Sequence, residues 1–366
     1  MTRFLEIELA GEAQERGRQY GARVSVAIRR NIETYLRLLA FHAGLEREAA
    51  LQAAGAFGPI LNAHTPDLLV EMQGIAQGAG CTLEEVLLLN ARSELMGMMG
   101  EKARYENAAG ECTALAAAPE VTAQGQVLLA QNWDWYTAVE EEPVLLRIRQ
   151  PGKPEILTLA EAGQVAKIGL NSAGLGVCLN FLSHAHRGRG VPVHVLLRQV
   201  LGCAHLGEAI HSVYGVPRGG AANLLLGHAE GEILDLELTA ADADYLYGDS
   251  SWLVHANHYE SVRLRGGDTG LATSMSTLAR AARARRLLSA AAAKKEVSRD
   301  TLRTILTDHT YGAYAICRHA EPAEAPLQQT ATRASLIMDL PARMLTLAAG
   351  QPCREECFSF SLEPLE

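Results

Sequence analysis

Four polar residues stand where the chain reads as the start or end of a strand, and each could take part in chemistry. Cys112 is alone in "GECTAL", and Asp134 lies between two tryptophans in "LLAQNWDWY". Asn180 closes the apolar run "GLGVCLNFL", and Asn257 follows "SWLVHA". A thiol becomes a nucleophile when a nearby group takes its proton, and a carboxylate can orient that group. Side-chain amides can donate to a developing oxyanion. Each residue also has a structural reading. A free cysteine packs as a small apolar residue, a strand-end aspartate turns to solvent, and an asparagine in an apolar strand staples a loop. Residue type alone leaves these readings open.

Strand alternation places Asn132 and Asp134 on one face and Trp133 and Trp135 on the other. The pair His255 and His258 in "HANHY" invites a metal, but alternation turns the two imidazoles to opposite faces. No HExxH is present. Cys353 and Cys357 lie close together with no second Cys or His pair nearby, so no zinc is expected. "GGDTGLATS" lacks the P-loop lysine and no GxGxxG occurs, so neither nucleotide nor other cofactor is expected.

The bulk properties exclude further classes. Of the 366 residues, 48% are hydrophobic and 20% charged, an ordinary globular composition. Thirty-three basic against 42 acidic residues give a net charge of −9, which disfavours nucleic acid and anionic membranes as partners. The basic stretch "RAARARRLL" (Arg280 to Leu288) reads as a solvated helix face. The N-terminus lacks the apolar core of a secretory signal, and no run of 18 apolar residues could span a membrane. Seven scattered cysteines point to a reducing cytoplasm rather than a disulfide framework.

Positioning elements follow from periodicity. The first 105 residues read as helices, with Tyr20, Val24, Ile28, Ile32, Tyr35, Leu36 and Leu39 recurring at three- and four-residue steps. Thr65 before Pro66 reads as a helix start, and Thr82 with Glu85 as a capping box. Beyond Gly110, short apolar runs separated by turn signals read as strands, with "EGE" as a hairpin turn. Helical patterns return at "VPVHVLLRQVLG", "GEAIHSVYG", "SMSTLARAARARRLLSAA" and "SRDTLRTILTDH", and two strands follow at "ASLIMDL" and "RMLTLAA". Blocks of helices and antiparallel strands indicate an α+β layered architecture.

Taken in order, "GECTAL", "LLAQNWDWY", "GLNSAGLGVCLNF", "HANHYES" and "ASLIMDLPARMLTLAAGQPC" resemble the acyl-coenzyme A:6-aminopenicillanic acid acyltransferase family (isopenicillin N acyltransferase-like, peptidase family C45). More distantly they resemble choloylglycine hydrolases and acid ceramidase-type amidases. All are N-terminal-nucleophile hydrolases with a cysteine nucleophile. The resemblance implies a four-layer αββα sandwich with mostly antiparallel sheets. It divides the chain into a helical prosegment, residues 1–111, and a catalytic chain, residues 112–366.

Residue by residue, the resemblance makes Cys112 the nucleophile exposed by autocleavage after Glu111, and Asp134 the carboxylate that orients its amine. Asn180 matches an asparagine near that amine and the substrate carbonyl, Asn257 the oxyanion-hole asparagine, and Arg280 a later family arginine. Gln131, Trp135, Phe181, Tyr259 and Arg280 are the expected substrate contacts. Two departures stand out: Gln131 occupies a position that is arginine in choloylglycine hydrolases, and the penicillin enzyme cuts after glycine where this chain has Glu111.

The implied activity is hydrolysis of a linear amide through a Cys112 thioester. The α-amine, at about 7.7–8.0, and the thiol, at about 8.5, then share one residue as base and nucleophile. Acyl transfer from an acyl-thioester to an amine, and an uncleaved binding protein, are the alternatives. The expected partners are a small-molecule amide or acyl-thioester and the cleaved prosegment, with oligomeric state left open.

Overall fold

The computed structural model describes residues 5–97, 112–141, 143–272 and 274–365. Strand β1 (Glu6–Ala10) leads into seven helices: α1 (Ala13–Arg23), α2 (Ser25–Ala43), α3 (Arg47–Gly55), α4 (Gly58–His64), α5 (Pro66–Ala79), α6 (Leu83–Asn90) and α7 (Arg92–Gly97). The apolar stripe read from the sequence is the buried face of α1 and α2, from Tyr20 to Leu39. Thr82 and Glu85 form the expected capping box at the start of α6, a cap typically contributing about 1 kcal/mol. Thr65 precedes Pro66 as expected, but its hydroxyl bonds back to the Leu61 carbonyl at 3.3 Å instead of capping α5.

Helices α1 and α5 pack backbone to backbone. A Cβ on Gly17 would lie 1.9 Å from the Glu71 carbonyl oxygen, and one on Gly74 would lie 2.3 Å from that of Gln14. Only glycine allows that approach. The buried pair Arg16–Glu71, at 2.6 Å, closes the same contact.

The rest of the chain forms two sheets. One contains, in spatial order, β1, β4 (Val144–Arg149), β5 (Ile156–Ala160), β6 (Ile168–Asn171), β7 (Leu175–Phe181), β8 (Ala222–His228), β9 (Ile233–Leu238) and β10 (Ala243–Tyr247). Only the β1–β4 pairing is parallel. The other runs β11 (Trp252–His255), β2 (Cys112–Ala117), β3 (Leu128–Tyr136), β12 (Thr330–Asp339), β13 (Met344–Ala348) and β14 (Cys357–Ser361), antiparallel throughout.

Strands β2 and β3 face β7 and β8 across the sandwich. Helices α8 (Val193–Leu201) and α9 (Leu206–Tyr214) cover the outer face of the larger sheet. Helices α10 (Ser276–Ala292) and α11 (Arg299–Leu306) cover the smaller one. The layers are therefore αββα, as expected. With both faces covered, central strands such as β3, β5 and β8 are buried along their whole length.

Four strands escaped the sequence reading, among them β5, whose short "ILTLA" lies close behind the turn signal "PGKP". β1 lies in the stretch read as wholly helical, and its five residues complete a sheet of the sandwich through β4. β10 and β14 are edge strands with half-exposed, irregular patterns, so no apolar run marks them. No helix is long and apolar enough to cross a membrane among the described residues.

Candidate active site

Cys112 is the first residue of β2, paired with Trp133 of β3. Residues directly opposite in an antiparallel pair share a face, so Cys112 and Trp133 point between the sheets. Asn132 points the other way and donates to the carbonyls of Leu306 and Ile316, at 2.8 and 2.9 Å. Asp134, two residues on, shares that outer face and accepts from the Thr332 hydroxyl at 2.6 Å. The alternation read from "QNWDW" holds.

Two side chains converge on the backbone of Cys112. Its N–H donates to Asn257 Oδ1 at 2.7 Å. Arg280 donates to the Cys112 carbonyl, to Thr113 Oγ1 at 3.0 Å and to Asn257 Oδ1 at 2.9 Å. Because arginine only donates, the Asn257 atom facing it is the oxygen. The Asn257 amide nitrogen donates instead to the Phe181 carbonyl at 3.0 Å. Asn257 therefore accepts from the nitrogen of Cys112, a different part from the oxyanion donor expected of it.

The expectation for the basic stretch fails at its first residue. Arg280 is fully buried because it reaches from α10 to β2, while Arg283 and Arg285 pair with Asp308 and Glu260.

Cys112 is buried, 4% exposed. Burial pushes its thiol up to about 11, with the Asp134 carboxylate adding to the rise. Lys167, the Asp134 backbone N–H and Arg280 oppose it. In the continuous chain the thiol is therefore protonated at neutral pH.

Lys167 belongs to a buried network that the sequence reading missed. Its ammonium lies 3.5 Å from the Trp133 ring centre and 3.0 Å from Glu161 Oε1. Glu161 also accepts from Arg92 and Tyr35, joining α2, α7 and the β5–β6 connection beneath the tryptophans. Burial draws Lys167 down to about 7. Burial alone would raise Glu161, but Arg92 and Lys167 outweigh it and hold the carboxyl below its ordinary range. The signal available was a few charged residues in two apolar stretches, one around Arg92 and one from Glu161 to Lys167, which carries no information about their meeting.

Asn180 is fully buried on β7. Its amide donates to the His255 carbonyl at 3.2 Å, and its Oδ1 has no hydrogen-bond partner among the described residues. His255 lies between two acceptors, Glu237 Oε1 and the Ala256 carbonyl, both at 2.8 Å. Both ring nitrogens must then donate, so the ring is an imidazolium. Its ring and that of His258 are nearly parallel, 6.3 Å apart. β11 ends at His255, so strand alternation does not separate them.

The expected substrate contacts are mostly committed elsewhere. Gln131 bonds both backbone groups of Leu179, its oxygen accepting at 2.9 Å, and so staples the two sheets together. The Trp135 indole donates to Tyr35 Oη at 2.7 Å under the N-terminal helices. Tyr259 is buried with Leu182 and Leu264 and donates to the Leu238 carbonyl at 2.7 Å. Phe181 is half-buried beside Asn257. The structure thus gathers Cys112, Asp134, Asn257 and Arg280, with Asn180 joined through His255. It leaves Gln131, Trp135 and Tyr259 as supports. Glu111 lies outside the described residues.

Comparison with known proteins bears on this geometry. Residues 121–354, more than half of the chain, match the family model described as acyl-coenzyme A:6-aminopenicillanic acid acyl-transferase. A curated relative, the 40 kDa form of acyl-coenzyme A:6-aminopenicillanic-acid-acyltransferase of Emericella nidulans, is 34% identical over 205 residues, 54% of this chain and 54% of that protein. The chain thus matches about half the length of that relative.

Among solved structures, a mutant conjugated bile acid hydrolase from Clostridium perfringens aligns with a TM-score of 0.50 at 12% identity, covering 69% of this chain and 97% of that one. Penicillin V acylase from Agrobacterium tumefaciens gives 0.46 at 13% identity, covering 69% and 86%. The first likeness, with the αββα layering, gives the N-terminal-nucleophile hydrolase fold.

Proposed function

Because the chain belongs to the acyl-coenzyme A:6-aminopenicillanic acid acyl-transferase family, we propose that it is a self-processing cysteine amidase acting on a linear amide of a small molecule. Residues 1–111 are its prosegment and residues 112–366 its catalytic chain. The observation that carries this reading is the convergence of Asn257 and Arg280 on the nitrogen and carbonyl of Cys112. A cysteine that merely filled the core would need neither.

In processing, Cys112 Sγ attacks the Glu111 carbonyl carbon, the C–N bond to Cys112 breaks, and the thiol proton passes to the departing nitrogen. The α-amine is then free, and water hydrolyses the thioester, releasing the Glu111 carboxylate and regenerating the Cys112 thiol. Asn257 Oδ1, which accepts from the amide N–H beforehand, accepts from the amine afterwards. Asp134 supplies negative charge beside it. An α-amine near 7.7–8.0 can take the thiol proton at neutral pH, so no histidine is needed as base. Arg280 keeps the Asn257 oxygen aimed at that nitrogen. Asn180 Oδ1, a buried acceptor with no partner among the described residues, suits an N–H of the substrate amide.

The acyl-enzyme is then hydrolysed. A second reading, transfer to an amine acceptor, is favoured by the relative of 34% identity named as an acyltransferase. Intact mass of wild type beside Cys112→Ala tests the common step. The expected result is cleavage between Glu111 and Cys112 in wild type alone. If both chains stay whole and Cys112 resists a thiol reagent, the reading fails. Product analysis with and without an added amine separates hydrolysis from transfer.

A further inference from the structure

Outside the site, the loop between α11 and β12 and the turn after β13 bring four ligand-type side chains together. His309 Nε2 and His319 Nε2 are 3.1 Å apart. Cys317 Sγ and Cys353 Sγ are 3.6 Å apart, well beyond a disulfide bond of about 2.05 Å. His319 Nε2 lies 3.8 Å from the first sulfur and 3.4 Å from the second. All four atoms fall within 4.8 Å of one another. With zinc–sulfur bonds of about 2.3 Å and zinc–nitrogen bonds of about 2.05 Å, a tetrahedron has edges of about 3.8 Å for S–S, 3.5 Å for S–N and 3.3 Å for N–N. The S–S, N–N and two His319–sulfur spacings lie within a few tenths of an ångström of those edges, and the His309–sulfur spacings are within 4.8 Å.

We propose that His309, Cys317, His319 and Cys353 bind one zinc ion as a closed, structural Cys2His2 site. Two thiolates balance the dication, so the complex adds no net charge to a half-buried place. Two sulfurs and two imidazole nitrogens in tetrahedral array select zinc among the common metals. A Cys317–Cys353 disulfide would leave the two imidazoles unexplained. The sequence reading weighed only Cys353 with its neighbour Cys357. Cys357, in β14, pairs with Ala348 of β13 and is outside the cluster, while the other ligands come from a loop that only the β12–β13 fold brings near.

The site has a structural consequence. The loop that supplies three of the ligands is fastened to sheet residues beside Cys112. Asn132 holds the Ile316 carbonyl, and the Arg318 N–H donates at 2.9 Å to Thr332 Oγ1, the group that itself donates to Asp134. Zinc at this position ties that loop to the turn carrying Cys353.

The test is metal content of the full-length chain, purified under reducing conditions, by mass spectrometry and by chelator-coupled zinc release. Wild type, Cys357→Ser and Cys112→Ala should each carry about one zinc per chain. His309→Ala and Cys353→Ser should carry almost none while keeping a folded circular dichroism spectrum, since both positions are exposed. Chelator should lower the Tm of wild type but not of Cys353→Ser. The proposal is overturned by a reduced wild-type chain that neither carries zinc nor takes it up on dialysis. A peptide map joining Cys317 to Cys353 in the native protein, or equal zinc in wild type and Cys353→Ser, overturns it as well.

Discussion

Thr332 Oγ1 donates to Asp134 Oδ1 at 2.6 Å while accepting from the Arg318 N–H at 2.9 Å. One hydroxyl therefore connects the carboxylate beside Cys112 to the loop that packs over it. Thr332 lies directly opposite Asp134 in the β3–β12 pairing, so the contact is built into strand register.

Thr332→Val keeps the shape and removes the donor. A hydrogen bond to a charged group contributes about 1.5–3 kcal/mol, so processing should slow roughly 10- to 100-fold if that energy holds Asp134 in place. The half-time for loss of full-length chain in a mass-spectrometric time course reads this out. An unchanged half-time would remove Thr332 from the positioning of Asp134.

Asn257 offers a test between acceptor and donor roles. Asn257→Asp retains an oxygen toward Cys112 and Arg280 but loses the amide donor, whereas Asn257→Leu loses both. If accepting from the Cys112 nitrogen is the working role, the aspartate variant should process within about tenfold of wild type, and the leucine variant should fall by about 10²–10³. Equal loss in both variants would restore the donor reading.

Thiol reactivity should change with cleavage. Burial first, then the Asp134 charge, pushes Cys112 up to about 11 in the continuous chain. Its labelling by iodoacetamide should therefore climb with pH through that region. Freeing the α-ammonium places a positive charge one residue's width from the sulfur, which favours the thiolate. At pH 7.5 the cleaved chain should label at Cys112 at least about tenfold faster, as read by peptide mapping. Equal rates would mean that the amine does not act on the thiol.

Stability should fall as pH rises past neutrality, and His255 identifies one cause. Burial alone would draw its imidazole down, yet Asp235 and Glu237 carry it up to about 9, against about 6.5 when unfolded. A folded value above the unfolded one gives a contribution fully present below about pH 6.5 and lost as pH rises through about 9, on the order of 3 kcal/mol in all. Urea unfolding at pH 6 and pH 9.5 should show this loss in wild type and not in His255→Gln. Identical losses in the two proteins would place the dependence on another group.

Much of the architecture was legible from local pattern. Period-2 and period-3.6 patterns, turn residues and the Thr82–Glu85 box are local, so the α+β layering, most central strands and the opposite faces of Asp134 and Trp133 could be read directly. The glycine pairs "GRQYG" and "GIAQG" were equally visible, but they acquire meaning only when α1 meets α5.

Tertiary structure alone decided the rest. The order β11-β2-β3-β12 sets residues from four distant segments side by side. It turns Arg280 from a surface charge into the group holding Cys112, and it makes Gln131 a staple between sheets. Likewise, Arg92, Glu161 and Lys167 form one buried network, and Cys317 finds Cys353, 36 residues away. A polar side chain in an apolar segment signals that burial must be matched by a partner. Which partner it meets depends on chain closure over long separations, and no local pattern encodes that.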